Sequence, residues 1–437
     1  MLRRQGQQAV CRAMGRRAIH STGAVWAFKK KSSDGANASV FKRGTPKSKG
    51  NWIDDFINTA SYGKFTKKAL EPQADGPGSS FFDIEQLEPG KVFRYPTHAE
   101  ESLRIFGSYR RGQKHELFKN HTTLIRDGSS LHMADAVKNG LSSSSKDNRF
   151  CLMGGKGTGK STLLAQTQAF ALQRGYVVLP VPRAAELVSG DNDAFYNDAL
   201  NMFIQPMYVR RWMKRVAKGN ERVLRELPAP DRLAGGKKGS TATATGGATK
   251  SLYDVLLEGR KRPDACHVME QVVGELAAQE TAPVLFTLDD VNVLSQNVYS
   301  ENTDHENQRI YHGDLQVPKT FLDFLSGART FKRGMVVTAL NSSHRVNETI
   351  LAGLGLQEPT PYAKIDRYDP LLASKFTGVT PLTLQHYTQA ETRTMLEYWN
   401  SVGVVPSELD ERLLNQKYFI SGNGNPEALL LACTENY

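Results

Sequence analysis

Cysteine is scarce in this sequence. Four occur among 437 residues, at positions 11, 151, 266 and 433, and no two stand in a CxxC pair. That excludes a disulfide framework and a zinc knuckle and fits a reducing compartment. No apolar run approaches the roughly 18 residues a membrane-spanning helix needs. The histidines, from His98 to His386, show no metal-ligand spacing, and no Ser-His-Asp arrangement surrounds Ser161. No protease, glycosidase or nuclease constellation emerges. Two guanine-type signals are also missing. There is no NKxD element, the nearest approach being AKID at 363–366, and the strand that ends in Asp289-Asp290 does not read DxxG.

Acidic residues are missing from the first 33 positions, where Arg3, Arg4, Arg12, Arg16 and Arg17 are spread among small and apolar residues. No hydrophobic segment of secretory type is present there. An Arg-rich, acid-free start reads as a mitochondrial targeting segment over residues 1–30. The whole chain carries a formal charge of +11, but residues 1–68 hold 15 Lys or Arg and three acids, a net of +12. The remaining 369 residues are therefore close to −1. Such a distribution demands a basic arm, not a uniformly basic nucleic-acid-binding body.

What is present is enough apolar residue, 39 % with 9 % aromatic, to fold most of the chain into more than one lobe. Residues 31–80 read as a basic flexible arm ending in a Pro/Gly-rich linker, and 81–148 as an N-terminal extension packing on the core. From 149 to 380, strand and helix patterns alternate. Strands are expected at Arg149–Met153, Tyr176–Val181, Pro283–Leu288 and Gly334–Leu340, with a helix over Lys160–Gln173. Phe195–Leu227 reads as a long helix broken at Pro206. Its Arg210, Arg211, Lys214, Arg215 and Lys218 give it a basic side, read as a solvated face in preference to an RNA contact. Residues 234–249, AGGKKGSTATATGGAT, read as an exposed low-complexity insertion. Pro381 is expected to start a helix through Trp399, opening a C-terminal helical region over 381–437. The fold class is α/β, with a mostly parallel sheet covered by helices.

The chemistry sits at Gly154-Gly155-Lys156-Gly157-Thr158-Gly159-Lys160-Ser161, a full match to GxxxxGK[ST] between a strand and a helix. The glycines allow backbone N–H groups to face an anion, and the following helix, with Thr162 in its first turn, adds its positive end. Lys160 is expected to reach β/γ-phosphates and Ser161 to coordinate Mg²⁺. The strand PVLFTLDDVN ends in Asp289 and Asp290. Asp289 is read as the magnesium acid, acting through a water. Asp290 stands where many ATPases place the Glu that polarises water. It is one methylene shorter, and a misplacement of about 1 Å can cost on the order of a hundredfold in rate. The site is thus expected to bind well and turn over slowly or not at all. Asn341 is either a γ-phosphate sensor or a helix cap, and Arg183 either a phosphate contact or a surface ion-pair partner. By residues alone, ATP and GTP both remain open.

The segments MGGKGTGKSTLLAQ, GYVVLPVPRA, LDDVN and SGNGNPEALL, in that order behind a mitochondrial-type start, resemble the death-associated protein three family. The resemblance covers residues 81–437. It implies a P-loop domain related to the AAA-type ATPases with a C-terminal helical portion, and a bound GTP or GDP with Mg²⁺ that is mainly structural. It also implies a place in the mitochondrial small ribosomal subunit, touching its rRNA and neighbouring proteins, with contacts to the large subunit across the intersubunit face. Carried over, Gly154–Ser161 become the phosphate loop and Asp289 the magnesium acid. Asp290 and Pro426-Glu427, which lacks a sensor arginine, depart from the wider superfamily. Two other readings stand beside it: a signalling or remodelling NTPase that switches on hydrolysis, and a matrix nucleotide-binding scaffold outside the ribosome.

Overall fold

Five short apolar runs make the central sheet of this protein. Its computed structural model describes residues 83–118, 121–230, 250–296, 298–342, 347–365, 367–405 and 409–434. The expected targeting segment 1–30, the arm and linker 31–80 and the insertion 234–249 lie outside the described residues. The chain divides after Asp55, and everything described belongs to the unit Phe56–Tyr437.

The strands are, in chain order, β1 (Val92–Arg94), β2 (Thr122–Leu124), β3 (Arg149–Gly154), β4 (Val177–Val181), β5 (Phe195–Asn197), β6 (Met202–Ile204), β7 (Val284–Asp289), β8 (Tyr299–Thr303), β9 (Arg309–Tyr311), β10 (Gly334–Ala339) and β11 (Thr380–Leu384). The main sheet runs β11-β3-β10-β7-β4 with every pairing parallel. The pairs β1-β2, β5-β6 and β8-β9 are small antiparallel ribbons. The longer helices are α1 (Thr97–Phe106), α2 (His132–Asn139), α3 (Lys160–Gln173), α4 (Pro206–Gly219), α5 (Leu252–Gly259), α6 (Ala265–Ala278), α7 (Gln316–Ser326), α8 (Gln389–Val402), α9 (Glu411–Ile420) and α10 (Pro426–Thr434).

A sheet covered on both faces needs strands that are apolar on both sides. In β7, Val284, Phe286 and Leu288 enter one hydrophobic cluster, with Trp212 of α4 and Phe321 and Phe324 of α7, while Leu285 enters the opposite one with Phe106 of α1 and Phe170 of α3. Period-two alternation thus feeds two layers rather than one core and one wet face. Because α3 lies in the second layer, its residues from Leu163 to Ala171 are all buried, so it lacks a polar outer face.

Two local expectations give way to tertiary context. Residues 380–384 form β11, and the helix begins only at Gln389 under a Thr388 capping box. Pro381 is tolerated because β11 is an edge strand, bonded to β3 alone, where a missing N–H costs no ladder bond. Pro180 occupies the other edge strand, β4, for the same reason. Residues 195–204 form the β5-β6 hairpin, and Pro206 starts α4 at its first turn rather than breaking a longer helix.

A third hydrophobic cluster joins the two ends of the described chain. Val92 of β1 and Leu124 of β2 pack with Leu396, Trp399 and Val402 of α8 and with Leu429 and Leu430 of α10. Arg126 fastens this junction, donating to Glu391 at 3.0 Å and to the carbonyls of Gln385 and His386 at 2.9 and 2.8 Å.

Candidate functional site

In a parallel sheet the carboxyl ends of all strands point one way, and ligands bind beyond them. That edge collects Gly154 from β3, Pro182 after β4, Asp289 at the end of β7 with Asp290 after it, and Asn341 and Ser342 after β10. The glycine loop and the two aspartates belong to strands separated by β10, so the fold brings them together without pairing their strands.

The loop from Gly154 to Gly159 turns through left-handed backbone. Gly154, Gly157 and Gly159 have φ of 140°, 77° and 94°. At Gly157 glycine is also required by space, because a Cβ would stand 2.4 Å from Asn425 Oδ1 and 2.8 Å from Glu427 Cβ. Thr158 closes the turn, its hydroxyl donating to Gly155 O at 3.0 Å. The first turn of α3 follows at once, leaving its N–H groups directed into the loop.

Lys160 is buried, 7 % exposed. Its ammonium donates to Gly154 O at 3.0 Å, Gly155 O at 2.6 Å and Ser342 Oγ at 2.7 Å, and Ser342 Oγ donates in turn to Gly154 O at 2.9 Å. Burial lowers the Lys160 pKa, and Asp289 and Glu427 partly oppose that shift. The Ser161 hydroxyl donates to Asp289 Oδ2 at 2.7 Å, so the two expected magnesium residues are already in contact. Thr162 receives a hydrogen bond from Gln113 Nε2 at 2.8 Å. Asn341 lines the cavity, its backbone N–H and C=O both held by the Asn292 side chain at 2.8 Å. Arg183 is exposed and does not line the cavity.

Arg110 belongs to no motif and carries no local signal. Its guanidinium reaches Asp289 Oδ2 at 2.5 Å, Asp290 Oδ2 at 3.1 Å and the Pro182 carbonyl at 2.9 Å. Burial works against its charge, but the two carboxylates outweigh that and raise its pKa. Asp290 itself has φ of 65° and donates its N–H to Asp289 Oδ1 at 2.9 Å. A left-handed non-glycine residue at a strand end is strained by roughly 1 kcal/mol or more. Sequence distance hides the Arg110 contact, since 179 residues separate it from Asp289.

Above the loop lies a cavity of about 350 Å³. One wall comes from the N-terminal part of the chain, including Phe118, His121 and Arg126, and the other from Tyr387, Trp399 and Leu430. The α10 start docks on the loop from outside. Asn425 Nδ2 donates to Lys156 O at 2.7 Å, and the Glu427 N–H to Gly157 O at 3.2 Å. An acid, Glu427, therefore stands on the first turn of the helix that faces the glycine loop.

His115 also lines the cavity, its ring centroid 4.5 Å from those of Tyr109, to which it is tilted, and His121, which it meets edge-on, and it is bonded to Gln113 Oε1 at 2.6 Å. Burial, reinforced by His121 and opposed by Glu100, pushes its pKa down to about 3. A depressed imidazole contributes stability that is complete above its unfolded value near 6.5 and is lost as pH falls towards the folded value. Denaturant unfolding at pH 7 and pH 5 should show about 1–2 kcal/mol less stability at pH 5 from this group. His115→Gln should flatten that difference.

A family model described as mitochondrial ribosomal death-associated protein 3 matches residues 123–432, well over half of the chain. Small ribosomal subunit protein mS29 of Schizosaccharomyces pombe is 25 % identical over 402 residues, covering 91 % of this chain and 81 % of that protein. The mS29 of Neurospora crassa is 25 % identical over 358 residues, covering 78 % and 73 %. The mS29 of Bos taurus is 29 % identical over 153 residues, 33 % of this chain and 37 % of that one. Among solved structures, Cdc6p from Pyrobaculum aerophilum overlaps 69 % of this chain and 57 % of its own at 13 % identity, with a TM-score of 0.30. That score is too low to carry an argument about the fold, which rests on the sheet order above.

Proposed function

The chain belongs to the mitochondrial ribosomal death-associated protein 3 family, and on that premise we propose that it is a structural component of the mitochondrial small ribosomal subunit whose fold is completed by a guanine nucleotide with magnesium. In this reading the fold is a P-loop domain related to the AAA-type ATPases. The loop Gly154–Ser161 and Thr162 hold the phosphates, with Lys160 as their buried cation. Ser161 and Asp289 hold the metal, Asp289 through a water, and Asn341 lies at the phosphate end. The donor set fits the group: three left-handed glycines, one buried ammonium and a hydroxyl already hydrogen-bonded to a carboxylate. A bound magnesium would supply charge neutralisation for the polyphosphate.

The observation that carries the structural role is the position of the cavity. Its walls come from both ends of the described chain, and its floor is the loop of the central sheet. A ligand there touches all three and stabilises only the assembled state, by about 4 kcal/mol when present at a thousandfold its Kd. Slow or absent hydrolysis follows from Asp290. Its carboxylate is engaged by Arg110, so it is poorly placed to activate water. Arg183 drops out of the proposed ligand set because it is exposed outside the cavity.

Sedimentation of mitochondrial lysate tests the assignment. The protein should co-migrate with the small subunit through moderate salt, and mass spectrometry of nucleotide released from the native protein should find GTP or GDP. A free or self-associated peak would overturn the ribosomal assignment, and ATP or ADP in the released fraction would overturn the guanine assignment.

A further inference from the structure

Helix α4 carries five basic residues and no acid in 14 positions. Its inward face is fixed by Tyr208, Val209, Trp212, Met213 and Val216, all buried in the main core. That packing leaves Arg210, Arg211, Lys214 and Lys218 in one exposed row along the opposite side. Among the described residues no carboxylate stands within ion-pair distance of any of them. Arg210 donates instead to the Arg262 carbonyl at 3.3 Å, and Arg211 to the side chain of Asn192. A solvated helix face normally mixes both signs. Here the positive row is concentrated on a body that is close to neutral overall.

The hairpin that leads into α4 adds a second, independent feature. Phe195 and Tyr196 of β5 are 57 % and 52 % exposed. Tyr196 is held edge-on to Phe203 with ring centroids 5.3 Å apart, and its hydroxyl donates to Asn201 at 2.6 Å. Both rings are uncovered, and that of Tyr196 is held in place. Asn192, which Arg211 grips, lies three residues before this strand, so the hairpin that carries the two rings begins beside the basic row.

We propose that the exposed face of α4 together with the β5-β6 hairpin is an RNA-binding surface, the row Arg210, Arg211, Lys214 and Lys218 tracking phosphates and Phe195 and Tyr196 stacking on unpaired bases. Unpaired cations track a polyanion, and exposed rings offer the π-face that single-stranded bases stack on. The surface rests on the ribosomal reading above and names the part of the body that meets RNA.

The full chain is compared with two variants, Arg210→Gln/Arg211→Gln/Lys214→Gln/Lys218→Gln and Phe195→Ala/Tyr196→Ala. The probe is a transcript of the mitochondrial small-subunit rRNA, titrated at several salt concentrations. The basic variant should bind at least tenfold more weakly near physiological salt, with the slope of log K against log salt reduced by about 3. The aromatic variant should bind about tenfold more weakly with its slope unchanged. Nucleotide affinity and melting temperature should match the parent in both, which separates lost contacts from lost folding. Parent-like RNA affinity in both variants, while they still co-sediment with the small subunit, would overturn the surface and leave the ribosomal assignment standing. Parent-like RNA affinity with failure to join the subunit would assign the patch to an acidic protein neighbour and also overturn it. Absence of the parent chain itself from the subunit would instead remove the ribosomal reading and, with it, this surface.

Discussion

Lys160→Ala should lower guanine-nucleotide affinity by about a hundredfold or more and, in the same preparation, abolish the thermal stabilisation that nucleotide confers. The ammonium is buried, and its three hydrogen-bond partners are two loop carbonyls, of Gly154 and Gly155, and the hydroxyl of Ser342 after β10. A bond from a charged donor contributes about 1.5–3 kcal/mol, and two such bonds to phosphate oxygens reach the expected loss. The second half of the prediction is the more informative. If the ligand is part of the folded body, saturating nucleotide adds about 4 kcal/mol to the parent at a thousandfold its Kd and nothing to the variant. Calorimetry for affinity and a melting curve with and without nucleotide decide it. Lost binding with an unchanged melting temperature would mean that the nucleotide visits the site without supporting the fold.

Arg110→Ala should be the most destabilising substitution of a half-buried residue near the site, and magnesium should partly reverse its effect. Asp289 and Asp290 are 6 % and 8 % exposed at their side chains, and Arg110 contacts both. Removing it takes the bridging guanidinium away from two adjacent buried carboxylates, a loss of about 3–5 kcal/mol. A divalent ion held by Ser161 and Asp289 would replace that charge. Unfolding in chelator should therefore show the full loss, and unfolding in millimolar magnesium with nucleotide a smaller one. The same variant should bind magnesium more tightly than the parent, because the competing guanidinium is gone. Equal losses in both buffers would mean that Arg110 acts only as a brace on the β7 end, through its bond to Pro182.

Arg110 also shows where sequence reading stops. GxxxxGK[ST] announces a strand, a glycine turn and a helix, and α3 begins and ends at Lys160 and Gln173 as its periodicity indicates. These features are local: the turn needs glycine φ values, and the helix needs an unbroken run of helix formers. The β7 run ending in two aspartates is equally legible, since a fully buried strand is a continuous apolar stretch. Nothing local distinguishes Arg110 from its neighbour at 111, or Ser342 from any serine after a strand. Asn425 and Glu427 are visible only as a loop before a helix, yet they lie against Gly157.

By itself, then, the chain's order of residues determined the glycine loop, the acid-tipped strand, the parallel α/β character and the family. Each depends on residues close together in sequence and on backbone rules that hold in any surroundings. The tertiary structure alone decided that Pro381 sits in an edge strand, that Pro206 opens a helix, that Arg110 neutralises the aspartate pair, and that both ends of the described chain wall one cavity. Those outcomes turn on which elements become neighbours. Burial then makes an unpaired charge or N–H costly enough to override local preference.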